Sequence, residues 1–341
     1  MEKTTTRIII ETVVKKTFKE IKESPERSIR NLVDMALHFS KGHFQHDFFT
    51  AAQTMLQNDK SCYYALIKDT VDHVDEKHLL DFGINLGYNG CTIGAATIRK
   101  MEETQGFNIP WILTLQLNPK QQQPYHSVIA QGESIGIHTW LLDMKEEPES
   151  ALSLVEQHQD SAFLLLCYPQ AITQTFLELA SRHTNLMIVV HDETGCTQAC
   201  AKLRQAKLLY SVCVLYSEND VPKIESGELF EEMEQSHPVF TGLYAAPDCP
   251  QSARERVWKA VNKARNDQSF QTIAWELVFD TSYIDSIISS EACLAGFDAE
   301  GKLITAQGVQ ADAAYNLFAQ DLPSILKQAF PKTRVNPMLV Q

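Results

Sequence analysis

The chain has 341 residues, 44% of them hydrophobic, enough to build a sizeable core in one large domain or in two. A formal charge of −13 excludes a general binder of nucleic acid or anionic membrane, because phosphates repel an acidic surface. No stretch approaches the roughly 20 apolar residues of a membrane-spanning helix, and the run Ile8–Ile10 ends at once in Glu11, so no secretory leader is expected.

The first hundred residues read as helices. Ile10, Val14, Phe18 and Ile21 recur at helical spacing. Ser24-Pro25-Glu26 is a helix start, with a hydroxyl cap, a first-turn proline and an acid at the positive end. Ile29, Leu32, Val33, Ala36 and Leu37 follow as one apolar stripe, and Phe48, Phe49, Ala52, Met55 and Leu56 predict a third helix. Leu79–Tyr88 fits a strand or a helix. The glycine-rich stretch Gly83–Gly94 matches neither dinucleotide nor P-loop spacing. Asn89-Gly90 reads as a turn there, with Thr92 as the cap of a helix over 92–104.

From Asn108 the rhythm changes. Apolar runs at Trp111–Leu117, Thr139–Met144, Ala162–Cys167, Leu186–Val190, Tyr210–Leu215 and Val239–Leu243 alternate with amphipathic segments. Runs that are apolar on both faces, separated by helices, predict parallel strands covered by helices. Short connections between six such units favour a barrel or partial barrel, with Ala274–Phe279 as a possible seventh strand. The acidic run Glu225–Glu234 reads as a solvated helix face. Phe297–Ile304 predicts a hairpin turning at Glu300-Gly301, and Leu317, Leu322, Ile325, Leu326 and Phe330 a last helix. The eight cysteines are scattered, several inside apolar runs, which predicts reduced, buried thiols and a cytoplasmic protein.

The strand ends carry the candidate site, because β/α barrels do their chemistry at the C-terminal face. They place Asn118, Asp143, Glu146, Glu147, Cys167, Tyr168, His191, Asp192, Glu193, Tyr216 and Glu218 at one mouth. His191, with Asp143 or Glu193, has the donor types of a divalent metal site or an acid–base pair. The simpler assignment makes His191 a loop residue and Asp192 or Thr194 the cap of the next helix. The acids together suit a cationic ligand, or else complement helix dipoles. Cys196 and Cys200 share one helix face. Two thiols make an incomplete metal site, and an apolar stripe containing cysteine explains them as well.

Ser24-Pro25-Glu26-Arg27, Asn108-Ile109-Pro110-Trp111, Ile129–Ile137, and Cys293-Leu294-Ala295-Gly296 followed by Asp298–Leu303 occur in an order that resembles bacterial radical SAM enzymes with a long helical N-terminal extension and a SPASM-type tail. The resemblance implies an extension over 1–107, an aldolase-type partial TIM barrel of about six βα units over 108–285, and a small hairpin–helix remnant over 286–341. It also marks departures. Active relatives carry Cys-x3-Cys-x2-Cys after the first barrel strand to hold a 4Fe–4S cluster that binds S-adenosylmethionine. Here that loop is Asn118-Pro119-Lys120-Gln121-Gln122-Gln123-Pro124-Tyr125. Gly-Gly-Glu-Pro at the second strand end is Lys145-Glu146-Glu147-Pro148, and the tail after Cys293 reaches Thr305–Gly308 with no second cysteine. The expectation is a pseudoenzyme with no cluster, S-adenosylmethionine or metal, acting through a protein partner such as an active radical SAM enzyme or its peptide substrate. An enzyme of another class, using His191 and the strand-end acids, is one alternative. A cluster on Cys167, Cys196 and Cys200 is the other.

Overall fold

The computed structural model describes residues 5–39, 43–289 and 291–332. The ends of the expected extension and tail, and the Phe48 side chain in the third helix, lie outside the described residues.

The N-terminal part is helical throughout: α1 (Thr5–Glu23), α2 (Pro25–Phe39), α3 (His43–Met55), α4 (Cys62–His73), α5 (Glu76–Ile84), a π-helical turn over Asn85–Gly94, and α6 (Ala95–Gln105). Leu79–Tyr88 is therefore helix, and Asn89-Gly90 is no turn. The chain winds on through the wide π turn because Asn85 and Asn89 donate their side-chain amides to the carbonyls of Gln159, Asp160 and Ser161. Thr92 caps nothing, and its hydroxyl donates to the Gly87 carbonyl.

Then come β1 (Ile112–Gln116), α7 (Gln122–Ile135), β2 (Thr139–Asp143), α8 (Leu152–Gln157), β3 (Ala162–Cys167), α9 (Gln174–Ala180), β4 (Leu186–His191), α10 (Cys196–Gln205), β5 (Tyr210–Tyr216), α11 (Val221–Ser226), α12 (Glu228–Glu234), β6 (Phe240–Ala245), α13 (Gln251–Asp267), β7 (Ile273–Glu276) and α14 (Leu277–Ser289). The seventh strand is shorter than Ala274–Phe279. Glu276 accepts from the Phe279 amide and Asp280 from the Glu276 amide, which starts a helix at Leu277 instead.

The tail holds β8 (Gly296–Phe297), β9 (Leu303–Thr305), β10 (Gly308–Val309) and α15 (Leu322–Ala329). Gly301, at φ 79°, makes the expected turn. Leu317 is buried but precedes α15, which starts behind the Asp321 cap.

The ten strands among the described residues form one curled sheet, a half-barrel, in the order β10-β9-β8-β1-β2-β3-β4-β5-β6-β7. Neighbours from β8 through β7 are parallel, and the two tail pairings are antiparallel. Alternate strand residues such as Leu115, Leu142, Leu165, Val190 and Val212 pack under the helices in the main core. The opposite, concave face carries Leu141, Leu164, Leu166, Val189, Cys213 and Tyr244, a smaller cluster joined by Leu277.

Both other approaches to that face are occupied. Val74 and Phe82 pack on Ala162, Met187 and Leu209, at or beside the N-terminal ends of the strands. Helix α14 spans from the last barrel strand toward the first, where Asp285 accepts from the Trp111 amide and Trp111 donates to the Thr281 carbonyl. No described helix is long and apolar enough to cross a membrane.

Candidate functional site at the mouth of the half-barrel

In a parallel sheet, residues in register on neighbouring strands project side by side. Tyr168 directly follows β3, and its amide donates to the Lys145 carbonyl at 2.8 Å, which carries the β2–β3 pairing past the strand ends. Cys167 is in register with Val190 and His191 with Cys213. Lys145, Tyr168 and His191 therefore form one row on the concave face, and Tyr244 reaches into it from β6.

The row is in contact along its length. Lys145 Nζ lies 6.0 Å from the Tyr168 ring centroid, and the Tyr168 and His191 rings are 5.3 Å apart. The Tyr244 hydroxyl lies 3.0 Å from His191 Nε2. Lys145 Nζ is 3.5 Å from Asp143 Oδ2, one step deeper on the same face.

Burial decides the charge states. It pulls the His191 imidazole down to about 4, with Lys145 adding, so the ring is neutral at neutral pH. Burial also raises the Tyr244 phenol, and it raises Asp143 against the pull of Lys145. The Tyr244 hydroxyl lies 3.0 Å from Nε2 and 3.4 Å from Nδ1 of this neutral ring, and a phenol can donate to the bare nitrogen or accept from the protonated one.

Of the residues expected at the mouth, Asp143, Tyr168 and His191 come together. Glu146, Glu147, Asp192, Glu193 and Glu218 are exposed around them on the strand-end loops. Asn118 is held apart. Its amide donates to the Tyr125 hydroxyl at 2.9 Å, and its side chain contacts the Ala299 carbonyl of the tail.

Cys167 and Tyr216 are corrections. Successive strand residues face opposite ways, so with Tyr168 on the concave face Cys167 lies in the main core under the helices. Tyr216 is fully buried there and donates to Glu276 at 3.0 Å. His191 is likewise no loop residue but the buried end of β4, and α10 is entered through left-handed Gly195, not capped by Asp192 or Thr194.

Lys145 and Tyr244 were missed by the sequence reading. Each lies one residue past an expected strand, which was the available signal.

Cys196 and Cys200 share the buried face of α10, where their mutual hydrogen bond and burial push the Cys200 thiol up. Among the described residues no three His, Cys, Asp or Glu side chains converge as a metal site. Two clefts lie away from the mouth. One, of about 650 Å³, runs between α1, α5 and the turn at Gln159-Asp160. The other, of about 230 Å³, lies beside Cys293 and Phe330.

This architecture is a radical-SAM-like partial barrel with a helical N-terminal part and a hairpin tail. It is similar to SuiB of Streptococcus suis, solved with S-adenosylmethionine, at TM-score 0.50 and 10% identity over 72% of this chain and 69% of SuiB. Also similar is anSMEcpe, solved with S-adenosylmethionine and a peptide, at TM-score 0.44 and 8% identity over 65% of this chain and 82% of that one. At such identities the likeness concerns fold alone. No protein family and no curated protein matches the sequence.

Proposed function

We propose that this chain is a radical-SAM-like half-barrel that builds no iron–sulfur cluster and works by binding a protein partner. The observation that carries the reading is the segment between β1 and α7. Residues 117–121 contain no cysteine, and Tyr125 and Ala299 hold Asn118 there. Carboxamides and a lysine are not ligands for such a cluster.

The remaining thiols do not compensate. Cys167, Cys196, Cys200, Cys213, Cys249 and Cys293 are all buried. Burial pushes Cys167 and Cys213 upward, away from the thiolate that a cluster needs. For a metal enzyme built on His191, the neighbours are unsuited, since its ring is met by two tyrosines and a lysine.

The partner we favour is an active radical SAM enzyme or that enzyme's peptide substrate. The experiment is anaerobic reconstitution with iron and sulfide, followed by analysis for both and for cleavage of S-adenosylmethionine. The expected result is no stoichiometric cluster and no cleavage. A cluster absorption band that disappears in Cys167→Ala or Cys196→Ala would falsify the reading.

A further inference from the structure

Both ends of the tail meet the segment 106–111, which leads from α6 into β1. Phe107 bridges antiparallel to Pro331. The Asn108 amide donates to the Phe330 carbonyl at 2.8 Å, and the Lys332 amide to the Gly106 carbonyl at 3.0 Å. At the start of the tail, Glu291 accepts from Asn108 Nδ2 at 2.9 Å.

Behind these contacts lie two buried carboxyl groups from different helices. Glu102 of α6 accepts from the Ile109 amide at 2.8 Å and meets Lys332 Nζ at 3.1 Å. Asp285 of α14 accepts from the Trp111 amide on Oδ1 at 3.0 Å, and the Cys293 amide of the tail faces the same carboxyl. Its Oδ2 is buried and makes no hydrogen bond among the described residues. The other ionisable groups around the pair are Glu291, the Cys293 thiol and Lys332, and Lys332 is already engaged by Glu102. An ionised Asp285 would therefore leave one oxygen without a donor and face the negative Glu102, and a proton removes both costs.

We propose that the tail is clasped to the barrel by a protonated Asp285, and that loss of this proton loosens the clasp as pH rises. Release bares the Cys293 thiol, now 1% exposed, and the edge of β1 that β8 covers. The sign follows from linkage. Seated, Asp285 is raised to about 7 by burial, with Glu102 adding. Lifted into water it returns to the usual carboxylate value of about 4. Between those values the closed form holds more protons, so opening grows by at most about tenfold per pH unit and levels off above 7. The clasp goes beyond the binding role proposed above and does not rest on it.

The test is hydrogen exchange on the full chain at pH 5, 7 and 8, with each rate divided by that of an unstructured peptide at the same pH. Protection over 291–305 should fall roughly tenfold or more from pH 5 to 7 and then stay level. In Asp285→Asn, which has no such proton to lose, it should stay constant throughout. A second readout is labelling of Cys293 by a pyridyl disulfide. The rate in the parent divided by that in Asp285→Asn cancels the titration of the thiol itself, and should rise over the same interval. Constant tail protection in the parent overturns the clasp, and needs no variant to show it. Protection lost by the same factor in β4 and β5 also overturns it, because the tail would then leave only when the barrel unfolds.

Discussion

Tyr244 reaches across β5 to set its hydroxyl 3.0 Å from Nε2 of His191, two strands away on β4. The contact holds the imidazole edge against the phenol, and burial keeps the ring neutral.

The His191 ring should therefore titrate near pH 4, with a neutral imidazole visible in nitrogen-resolved NMR at neutral pH. The unfolded chain protonates this ring near 6.5. A folded value below that means His191 contributes stability above about pH 6.5, and the contribution is lost as pH falls toward 4. His191→Gln should flatten that part of the acid unfolding curve. A His191 signal titrating at 6 or above contradicts the buried contact.

Asp285 titrates in the opposite sense. It is fully buried, and burial, with Glu102 adding, raises it to about 7 against the amides of Trp111 and Cys293 that hold it down. Its raised value makes folding favourable at low pH and progressively less so from about pH 4 to 7, by at most about 1.4 kcal/mol per unit. Asp285→Asn should be more stable than the parent at pH 8 and lose that advantage by pH 5. Urea unfolding at the two values decides it, and an Asn variant equally destabilised at both would show that the carboxylate is needed there.

The first six barrel strands were legible because they are largely buried on both faces, so an apolar run marks each within a residue or two, whereas the seventh ends three residues before Phe279. The side of the sheet was harder to read. Cys167 and Tyr168 are neighbours in sequence, and only the curl of the sheet decides that the tyrosine enters the mouth and the thiol the helix layer. The same uncertainty hid Tyr244, whose partner His191 is 53 residues away. Asn89-Gly90 has the composition of a turn. It is helical because the carbonyl acceptors for Asn85 and Asn89 come from residues 159–161, a tertiary contact with no local trace.

Gly94, where the π turn passes into α6, meets Gly136 at the end of α7. A Cβ on Gly94 would run into the Gly136 carbonyl oxygen and lie 2.8 Å from that of Asn89. Backbone atoms cannot rotate aside, so Gly94→Ala should cost about 3 kcal/mol or more. Gly83→Ala has open space and sits inside α5. It should be neutral or gain up to about 1 kcal/mol. Equal thermal shifts for the two would mean the helices are not locked at this crossing.

The last prediction concerns how the N-terminal helices hold the closed end of the half-barrel. Asn85 is almost fully buried, and its amide donates to the carbonyls of Gln159 at 2.8 Å and Ser161 at 3.0 Å. Asn89, fully buried, adds a bond to Asp160 at 2.8 Å and one to Asn85 itself. On the far side of the same end, Arg204 grips Asp69 of α4 with both terminal guanidinium nitrogens. These contacts differ in kind. The asparagine side chains are buried, and so is the bond from Asn85 to the Ser161 carbonyl, whereas about a third of the Arg204 and Asp69 side chains is exposed. Losing a buried partner leaves an unmet carbonyl and costs about 1–3 kcal/mol, while an exposed ion pair contributes about 0–1. Asn85→Ala should thus destabilise the chain more than Arg204→Ala, and its effect should persist in high salt where that of Arg204→Ala shrinks. Hydrogen exchange gives a second readout, because Asn85→Ala should speed exchange across 85–94 and 159–161 before it affects β4 and β5. If Arg204→Ala proves the more damaging of the two at every salt concentration, the helices are held on the barrel by charge and not by these buried amides.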